Sequence, residues 1–294
     1  MASVLVTGAS KGIGRAAAAE FTRRGHRVIA TARDPRTLAG LPADQRLALD
    51  VANPGSITSA VGEAGEVDVL VSSAGEIFYA AVEATPPEAL ARLLDINTIG
   101  ALRVAQAVLP GMRARSRGRL LFMSSIAGRI VPPRQAAYAA TKWALEALVE
   151  ALAIEAGPLG IEAGLLEPGP VSSGALDHVT AYALPGDPYT RPPGRGGTAA
   201  SQMTPEEVAA QIADAAEAPQ LPLRVPIGRA AAEILAARRA PPTTFRSSPV
   251  RPRPSGRERQ GRRLLMRPST WLAEVVAVAV APVLSGPVWV TQAS

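Results

Sequence analysis

Short apolar runs alternate with longer helical patterns through residues 1–239 of this 294-residue chain. The runs are mostly apolar and four to six residues long, which is typical of parallel strands covered on both faces. The predicted strands are Ser3–Val6, Arg27–Thr31, Leu47–Asp50, Val67–Ser72, Arg119–Met123, Glu162–Leu166 and Leu223–Ile227. The predicted helices include Gly14–Arg24, Pro87–Arg113, Tyr138–Gly157, a helix after Thr204, and Arg229–Arg239. This alternation predicts βαβ units and an α/β fold, a single doubly wound, Rossmann-like parallel sheet over residues 1–239.

Two segments depart from this pattern. Residues 171–203 are rich in Gly, Pro, Ser and Thr and are long for a connector, so we predict a lid over a functional site. Residues 240–294 form a C-terminal extension that begins as an Arg/Pro/Ser-rich stretch, predicted to be disordered. The apolar stretch Trp271–Val290 is interrupted by charged, Pro and Gly residues, so no transmembrane segment is predicted. Docking on the domain, on a partner or weakly on a membrane surface remains open.

The net charge of +6 comes from this extension. From residue 240 onward the sequence has eight arginines and two glutamates, which gives a net charge of +6. Residues 1–239 are therefore formally neutral. Binding of nucleic acid is therefore not expected of the main domain.

The chain has no cysteine and only two histidines, His26 and His178. This composition excludes disulfides, thiol nucleophiles and cysteine–zinc or multi-histidine metal sites. The sequence also begins without a basic region followed by an apolar one, so we expect a cytoplasmic protein rather than a secreted one.

A glycine-rich loop, Thr7–Gly14, joins the first predicted strand to the first helix. Gly8 permits a tight turn, Gly12 lets the backbone approach a pyrophosphate, and Gly14 allows close packing of the helix on the strand. The phosphates would lie at the positive end of the helix. The position of the loop directly after a buried strand indicates dinucleotide binding.

The second strand ends at Arg33 rather than at an acidic residue. A carboxylate here would bind the ribose 2′-hydroxyl of NAD, whereas a guanidinium suits the 2′-phosphate of NADP. Lys11 can add a second positive charge, so NADP(H) is the predicted cofactor. The alternative is that Arg33 is an ordinary solvated arginine in an arginine-rich chain.

Tyr138 and Lys142 are four residues apart at the start of a predicted helix and so share one helical face. A free phenol titrates at about pH 10, and a neighbouring ammonium stabilises the phenolate and lowers the phenol pKa. Only two lysines, Lys11 and Lys142, occur among 31 basic residues, and both lie in motifs. We therefore predict that Tyr138 exchanges a proton with the substrate.

Together with other motifs in the same order, these features resemble the short-chain dehydrogenase/reductase family over about residues 3–239. Asp50-Val51 matches the family's pair beside the adenine, and Asn97 matches the asparagine of its catalytic tetrad. Ser125 opens a Ser-x-x-Gly segment thirteen residues before Tyr138, which is the family spacing for the catalytic serine. Pro168-Gly169-Pro170-Val171 matches the segment that holds the carboxamide, with Ser173 where threonine is usual.

The resemblance implies four catalytic residues, Asn97, Ser125, Tyr138 and Lys142. Ser125 and Tyr138 would hold the carbonyl oxygen, and Tyr138 would transfer the proton. Lys142 would bind the nicotinamide ribose and lower the pKa of Tyr138, while Asn97 would hold a water linking Lys142 to solvent. The implied cofactor contacts are Thr7, Gly8, Ser10, Lys11, Gly12, Ile13, Gly14, Arg33, Asp50, Val51, Ser73, Ala74, Gly75, Tyr138, Lys142, Pro168, Gly169, Val171 and Ser173.

One motif departs from the family pattern. The usual Asn-Asn-Ala-Gly after the fourth strand is Ser72-Ser73-Ala74-Gly75 here, which implies lower stability or weaker cofactor binding without loss of activity.

The resemblance implies an NADP-dependent oxidoreductase that interconverts a small-molecule ketone or aldehyde and an alcohol. It also implies a homodimer or homotetramer built on Pro87–Arg113 and Tyr138–Gly157. The alternative is a catalytically weak protein of the same fold that senses NADP(H) or is tethered through its C-terminal extension.

Overall fold

A computed structural model describes residues 1–172, 180–189 and 202–237. The strands are β1 (Ser3–Thr7), β2 (Arg27–Ala32), β3 (Gln45–Ala48), β4 (Val69–Ser72), β5 (Phe78–Tyr79), β6 (Gly118–Met123), β7 (Ile161–Pro168), β8 (Thr180–Ala181) and β9 (Arg224–Ile227). The helices are α1 (Gly12–Arg23), α2 (Pro54–Ala64), α3 (Pro87–Leu94), α4 (Gly100–Ala114), α5 (Ala136–Ala156), α6 (Pro205–Glu217) and α7 (Arg229–Ala237).

Seven strands form one parallel sheet in the order β3-β2-β1-β4-β6-β7-β9. The chain order reverses at β1, which is central and pairs with both β2 and β4. The predicted α/β fold with one doubly wound parallel sheet is therefore confirmed.

Successive side chains of each strand point to opposite faces of the sheet. Because these side chains are apolar on both faces, helices cover both faces. In β1, Val4 and Val6 pack in a cluster with Phe21 of α1 and with α6. Leu5, between them, packs in a second cluster with α2, α4 and Leu145 of α5. Both faces of the sheet are thus apolar, as the strand sequences predict.

The helix predicted over Pro87–Arg113 is not continuous. A π-helical turn, Asp95–Ile99, separates α3 from α4. In this turn Thr98 Oγ1 donates a hydrogen bond to the carbonyl of Thr141 in α5, 2.9 Å away. A π-turn adds one residue to a helical turn, and this hardly changes the spacing of apolar residues in the sequence. The sequence pattern therefore does not reveal the π-turn, and the prediction of one uninterrupted helix was wrong here.

The carboxyl ends of the parallel strands meet at one edge of the sheet, where doubly wound folds bind their ligands. A second, two-stranded parallel sheet, β5 with β8, lies apart from the main one. An ion pair of 2.5 Å between Arg134 Nη1 and Asp187 Oδ2 ties residues 180–189 to the loop before α5. This contact fixes the described part of the predicted lid beside the start of α5.

Most of the predicted lid and all of residues 240–294 lie outside the described residues. Within the described ranges, no helix has the length and apolar character needed to cross a membrane. On α5, Trp143, Leu148 and Ile154 are exposed apolar residues, the last of them 73% exposed. These residues lie on a helix through which we predict oligomer formation, and the homodimer or homotetramer stays a prediction.

Candidate active site

The loop between β1 and α1 packs tightly against the loop after β4. Gly8 has a φ of +70°, and a Cβ there would lie 2.8 Å from the Ala74 Cα. A Cβ on Gly14 would lie 2.4 Å from the Gly8 carbonyl oxygen, so α1 approaches β1 as closely as the sequence predicts. Both contacts are with backbone atoms, and only glycine fits at these two positions.

The amino end of α1 is open to a ligand. Among the described residues, no side chain caps it, because the N-cap residue Lys11 is exposed and makes no capping hydrogen bond. The first N–H groups of a helix lack intrahelical partners and carry partial positive charge. The residues from Gly12 to Gly14 therefore suit an anionic group such as a pyrophosphate.

The loop after β4 is braced by Thr7 despite its unusual serines. Thr7 Oγ1 accepts hydrogen bonds from the backbone N–H groups of Ser73 and Ala74, at 3.0 and 3.1 Å. Thr7 itself is fully buried at the end of β1. One threonine hydroxyl thus fixes the two loops to each other without any amide side chain after β4.

Arg33 follows β2 and is exposed. Its neighbour Asp34 accepts hydrogen bonds from both the backbone and the guanidinium of Arg36, which lower the pKa of the Asp34 carboxyl. Within the part of the chain that the structure describes, Arg33 and Lys11 form no ion pair. Two positive groups at the edge of the predicted site are therefore available to an anion, while the nearby carboxylate is engaged.

Asp50 and Val51 follow β3. Asp50 Oδ1 accepts a hydrogen bond of 3.0 Å from the N–H of Ala52, which fixes the turn. Val51 is buried, and its side chain fills the space that a Cβ on Gly100 would occupy. The pair therefore connects the end of β3 to the start of α4.

Asn97 is 1% exposed in the π-helical turn. Its side-chain oxygen accepts from the N–H of Glu76, and its side-chain nitrogen donates to the Glu76 carbonyl and to Thr141 Oγ1. A Cβ on Gly75 would lie 3.1 Å from Asn97 Oδ1 and 3.9 Å from Lys142 Nζ. The structure thus brings Asn97, Lys142 and the loop after β4 together, although they are far apart in sequence.

Ser125 and Tyr138 face each other beyond the carboxyl end of β6. Ser125 starts a single helical turn, where its Oγ accepts a hydrogen bond of 3.1 Å from the N–H of Ala127. Its side chain also lies close enough to the phenol of half-buried Tyr138, in the first turn of α5, to favour the phenolate. Two hydroxyl groups that could hold one substrate oxygen are therefore adjacent.

Lys142 lies one turn after Tyr138 and is 4% exposed. Its Nζ donates a hydrogen bond of 2.7 Å to the Met123 carbonyl and lies 5.7 Å from the centre of the Tyr138 ring. Burial lowers the pKa of Lys142 to about 8, and the negative charge of Glu146 opposes that shift. The ammonium is held beneath the phenol by the strand end that carries Ser125.

In the protein without a bound cofactor, the pKa of Tyr138 is raised, whereas the sequence predicts that Lys142 acts to lower it. Burial raises the pKa of Tyr138 to about 12, and the side chain of Ser125 only partly opposes this increase. The physical reason for the increase is that burial disfavours the charged phenolate. Lowering of the Tyr138 pKa by Lys142 stays a prediction.

The segment after β7 lies beside these groups. Pro168 is the last residue of β7 and pairs with Ile227 of β9, and Gly169 donates a backbone hydrogen bond of 3.4 Å to the Ile227 carbonyl. Val171 forms an isolated parallel bridge with Met203. Ser173, predicted to contact the cofactor, lies outside the described residues.

Two polar residues in this region were not recognised from the sequence. Thr141 donates to the Tyr138 carbonyl and accepts from Asn97, and so joins the π-helical turn to α5. Glu146 is buried and accepts from Ser124 Oγ. The spacing of four residues between Lys142 and Glu146 is the signal that could have identified the second of them.

Comparison with known proteins places the chain in a family. The sequence model of the family described as short chain dehydrogenase matches residues 2–182. A 3-ketodihydrosphingosine reductase of Bacteroides thetaiotaomicron is 36% identical over 187 residues, 62% of this chain and 69% of that protein. Human 17-beta-hydroxysteroid dehydrogenase type 1 is 38% identical over 193 residues, 60% of this chain and 58% of that protein.

A solved structure agrees with this result. A short-chain dehydrogenase from Streptomyces avermitilis has a TM-score of 0.71 and 33% sequence identity, covering 80% of this chain and 91% of that one. The chain belongs to the short-chain dehydrogenase family, whose members are oxidoreductases acting on CH–OH groups.

Proposed function

We propose that the protein is an NADP(H)-dependent oxidoreductase that interconverts a ketone or aldehyde and an alcohol, with Tyr138 as the general acid and base. The observation that carries the proposal is the adjacency of the Ser125 and Tyr138 side chains, with the buried ammonium of Lys142 5.7 Å from the centre of the Tyr138 ring. Bound nicotinamide supplies the hydride chemistry. Tyr138 exchanges the proton with the substrate oxygen, and Ser125 donates a hydrogen bond to that oxygen as it gains charge.

The high pKa of Tyr138 in the protein alone suits proton donation during carbonyl reduction. For the reverse reaction the phenol must lose its proton more easily, and a positive charge beside it has this effect. Lys142 supplies one such charge when protonated, and its pKa of about 8 leaves it mostly cationic at neutral pH.

Lys11 and Arg33 favour NADP(H) over NAD(H). Both are exposed, Lys11 at the amino end of α1 and Arg33 directly after β2, and the Asp34 carboxylate is paired with Arg36. A guanidinium can pair with a 2′-phosphate through two charge-assisted hydrogen bonds. Loss of one such pair should weaken NADPH binding by about 1.5–3 kcal/mol.

An apolar ketone or secondary alcohol is the proposed substrate class. Val131, in the loop between Ser125 and Tyr138, is 60% exposed, and Tyr182, on the described part of the predicted lid, is 40% exposed. The two curated relatives are named for a ketone and for hydroxysteroids, both with large apolar bodies. These observations favour an apolar substrate over a sugar.

The test of the mechanism is Tyr138→Phe, measured as oxidation of NADPH with a panel of ketones. Turnover should fall on the order of 10²–10⁴-fold, since the variant loses the acid–base group. NADPH binding, followed by fluorescence titration, should change little. Retention of more than about a tenth of kcat by Tyr138→Phe would mean that another group carries the proton.

The test of cofactor choice compares kcat/KM for NADPH and NADH in the wild type and in Arg33→Ala. Arg113→Ala is the matched control, because Arg113 is exposed near the end of α4, before the start of β6 at the opposite edge of the sheet. Equal use of both cofactors by the wild type would refute the preference.

A further inference from the structure

A cluster of buried charges lies behind the catalytic groups, on the same face of α5 as Lys142. Glu146, one turn after Lys142, is 5% exposed. Its Oε1 accepts a hydrogen bond of 2.5 Å from Ser124 Oγ, and its Oε2 accepts one of 2.9 Å from Arg224 Nε in β9. A buried carboxylate is costly, so a site that provides it with two donors is built to keep its charge.

We propose that Glu146 is a positioning residue for the reaction, which keeps Lys142 cationic and fixes the strand end that carries Ser125. The inference rests on the proposed roles of Lys142 and Ser125. Glu146 is bound to Ser124 and Arg224, and in this proposal it acts only through its neighbours.

Two side chains of α5 bind consecutive residues at the end of β6. Lys142 Nζ donates to the carbonyl of Met123, and Glu146 accepts from the hydroxyl of Ser124. Ser125 is the next residue, and its hydroxyl faces Tyr138, which is also on α5. Two successive turns of one helix thus fix the position of the Ser125 hydroxyl relative to the Tyr138 phenol.

The contact between Glu146 and Ser124 is tightly packed. A Cβ on Gly128 would lie 2.7 Å from Ser124 Oγ and 3.0 Å from Glu146 Oε1. Ser124 is 1% exposed, so water cannot replace the carboxylate without rearrangement. The carboxylate therefore has one available position, next to the strand end.

The charge of Lys142 depends on its burial and on the charged groups around it. Burial lowers the pKa of Lys142, and Glu146 is the neighbour whose charge raises it. The other charged groups around Glu146 are Arg224 of β9, Arg129 after β6 and Glu167 of β7. The pKa of Glu167 is raised by burial and by the charge of Glu146. Replacing Glu146 with neutral glutamine should therefore let Lys142 lose its proton at a lower pH.

The two lysines of the chain make a direct measurement simple. With ¹³C-labelled lysine, an NMR titration of the full chain reports only Lys142 and Lys11, and exposed Lys11 serves as the internal reference. We expect the midpoint of Lys142 to fall by about one pH unit in Glu146→Gln, as for loss of a nearby opposite charge. In Glu146→Asp, which keeps the charge, the midpoint of Lys142 should return most of the way to its wild-type value.

Glu150→Gln is the matched control. Glu150 lies one turn further along α5 and binds the same Arg224 at 2.8 Å, but its side chain is 52% exposed and does not contact Ser124. The titration of Lys142 should not change in this variant. An unchanged titration in folded Glu146→Gln, or an equal shift in Glu150→Gln, would overturn the electrostatic role.

Ser124→Ala tests the positioning role separately, because it removes the hydroxyl and keeps the carboxylate. We expect kcat for ketone reduction to fall about tenfold or more with little change in KM, while Lys142 titrates as in the wild type. Wild-type kcat in Ser124→Ala would overturn this role. Absence of turnover in the wild type would instead refute the proposed function, and the lysine titration would still decide whether Glu146 controls the charge of Lys142.

Discussion

Replacing Gly14 with alanine tests the close approach of α1 to β1. The added Cβ would lie 2.4 Å from the Gly8 carbonyl oxygen and 2.9 Å from the Gly8 carbonyl carbon. Gly8 has little room to move away, because an atom at its own Cβ position would already lie 2.8 Å from the Ala74 Cα. The helix must therefore move away from the sheet, and such overpacking costs about 1–3 kcal/mol.

Gly62→Ala is the matched control, since Gly62 also lies in a helix, α2, but has no atom within 4 Å of the position of an added Cβ. Alanine there should stabilise the protein by about 0.5–1 kcal/mol through its better helix propensity. The two variants should thus differ by roughly 1.5–4 kcal/mol in the free energy of unfolding, in opposite directions from the wild type.

The assay is urea unfolding followed by circular dichroism, with thermal melts as a second measure. For a domain of this size the expected difference corresponds to roughly 3–16 °C in Tm. Gly14→Ala should also bind NADPH more weakly, because the moved helix carries the N–H groups proposed to face the pyrophosphate. Equal stability of Gly14→Ala and Gly62→Ala would refute the reasoning.

Three further predictions concern other parts of the chain. Thr7→Val should destabilise the protein by about 2–4 kcal/mol in urea unfolding, since two backbone N–H groups after β4 lose their acceptor, whereas Thr7→Ser should not. Glu20, whose pKa is lowered from 4.5 to about 2 chiefly by its hydrogen bond to Arg23, contributes stability at neutral pH. Thermal melts should therefore show Glu20→Gln below the wild type at neutral pH, with the gap closing as the pH falls from 4.5 towards 2. A chain ending at Arg239 should stay folded and reduce ketones with NADPH; insolubility or inactivity would place the C-terminal extension in the core or the pocket.

The sequence alone determined the sheet and much of the chemistry. Parallel strands buried on both faces need nearly continuous apolar runs. Such runs can be recognised in the sequence without knowing which strands lie next to one another in the sheet. The relation of Tyr138 to Lys142 is equally local, because a helix brings residues four apart together wherever it forms. The glycine loop from Thr7 to Gly14 is local for the same reason, and its position after a buried strand is visible in the sequence.

Tertiary structure alone decided the surroundings of these groups. The π-helical turn at Asn97 depends on hydrogen bonds to Glu76 and Thr141, residues that no spacing rule connects to it. The net upward shift in the pKa of Tyr138 depends on desolvation, which requires the complete packing around the phenol. The contact of Glu146 with Ser124 joins a helix to a strand end 22 residues away in sequence. Local patterns specify which groups are present, whereas burial and long-range contacts set their charge and orientation, because both depend on atoms from distant parts of the chain.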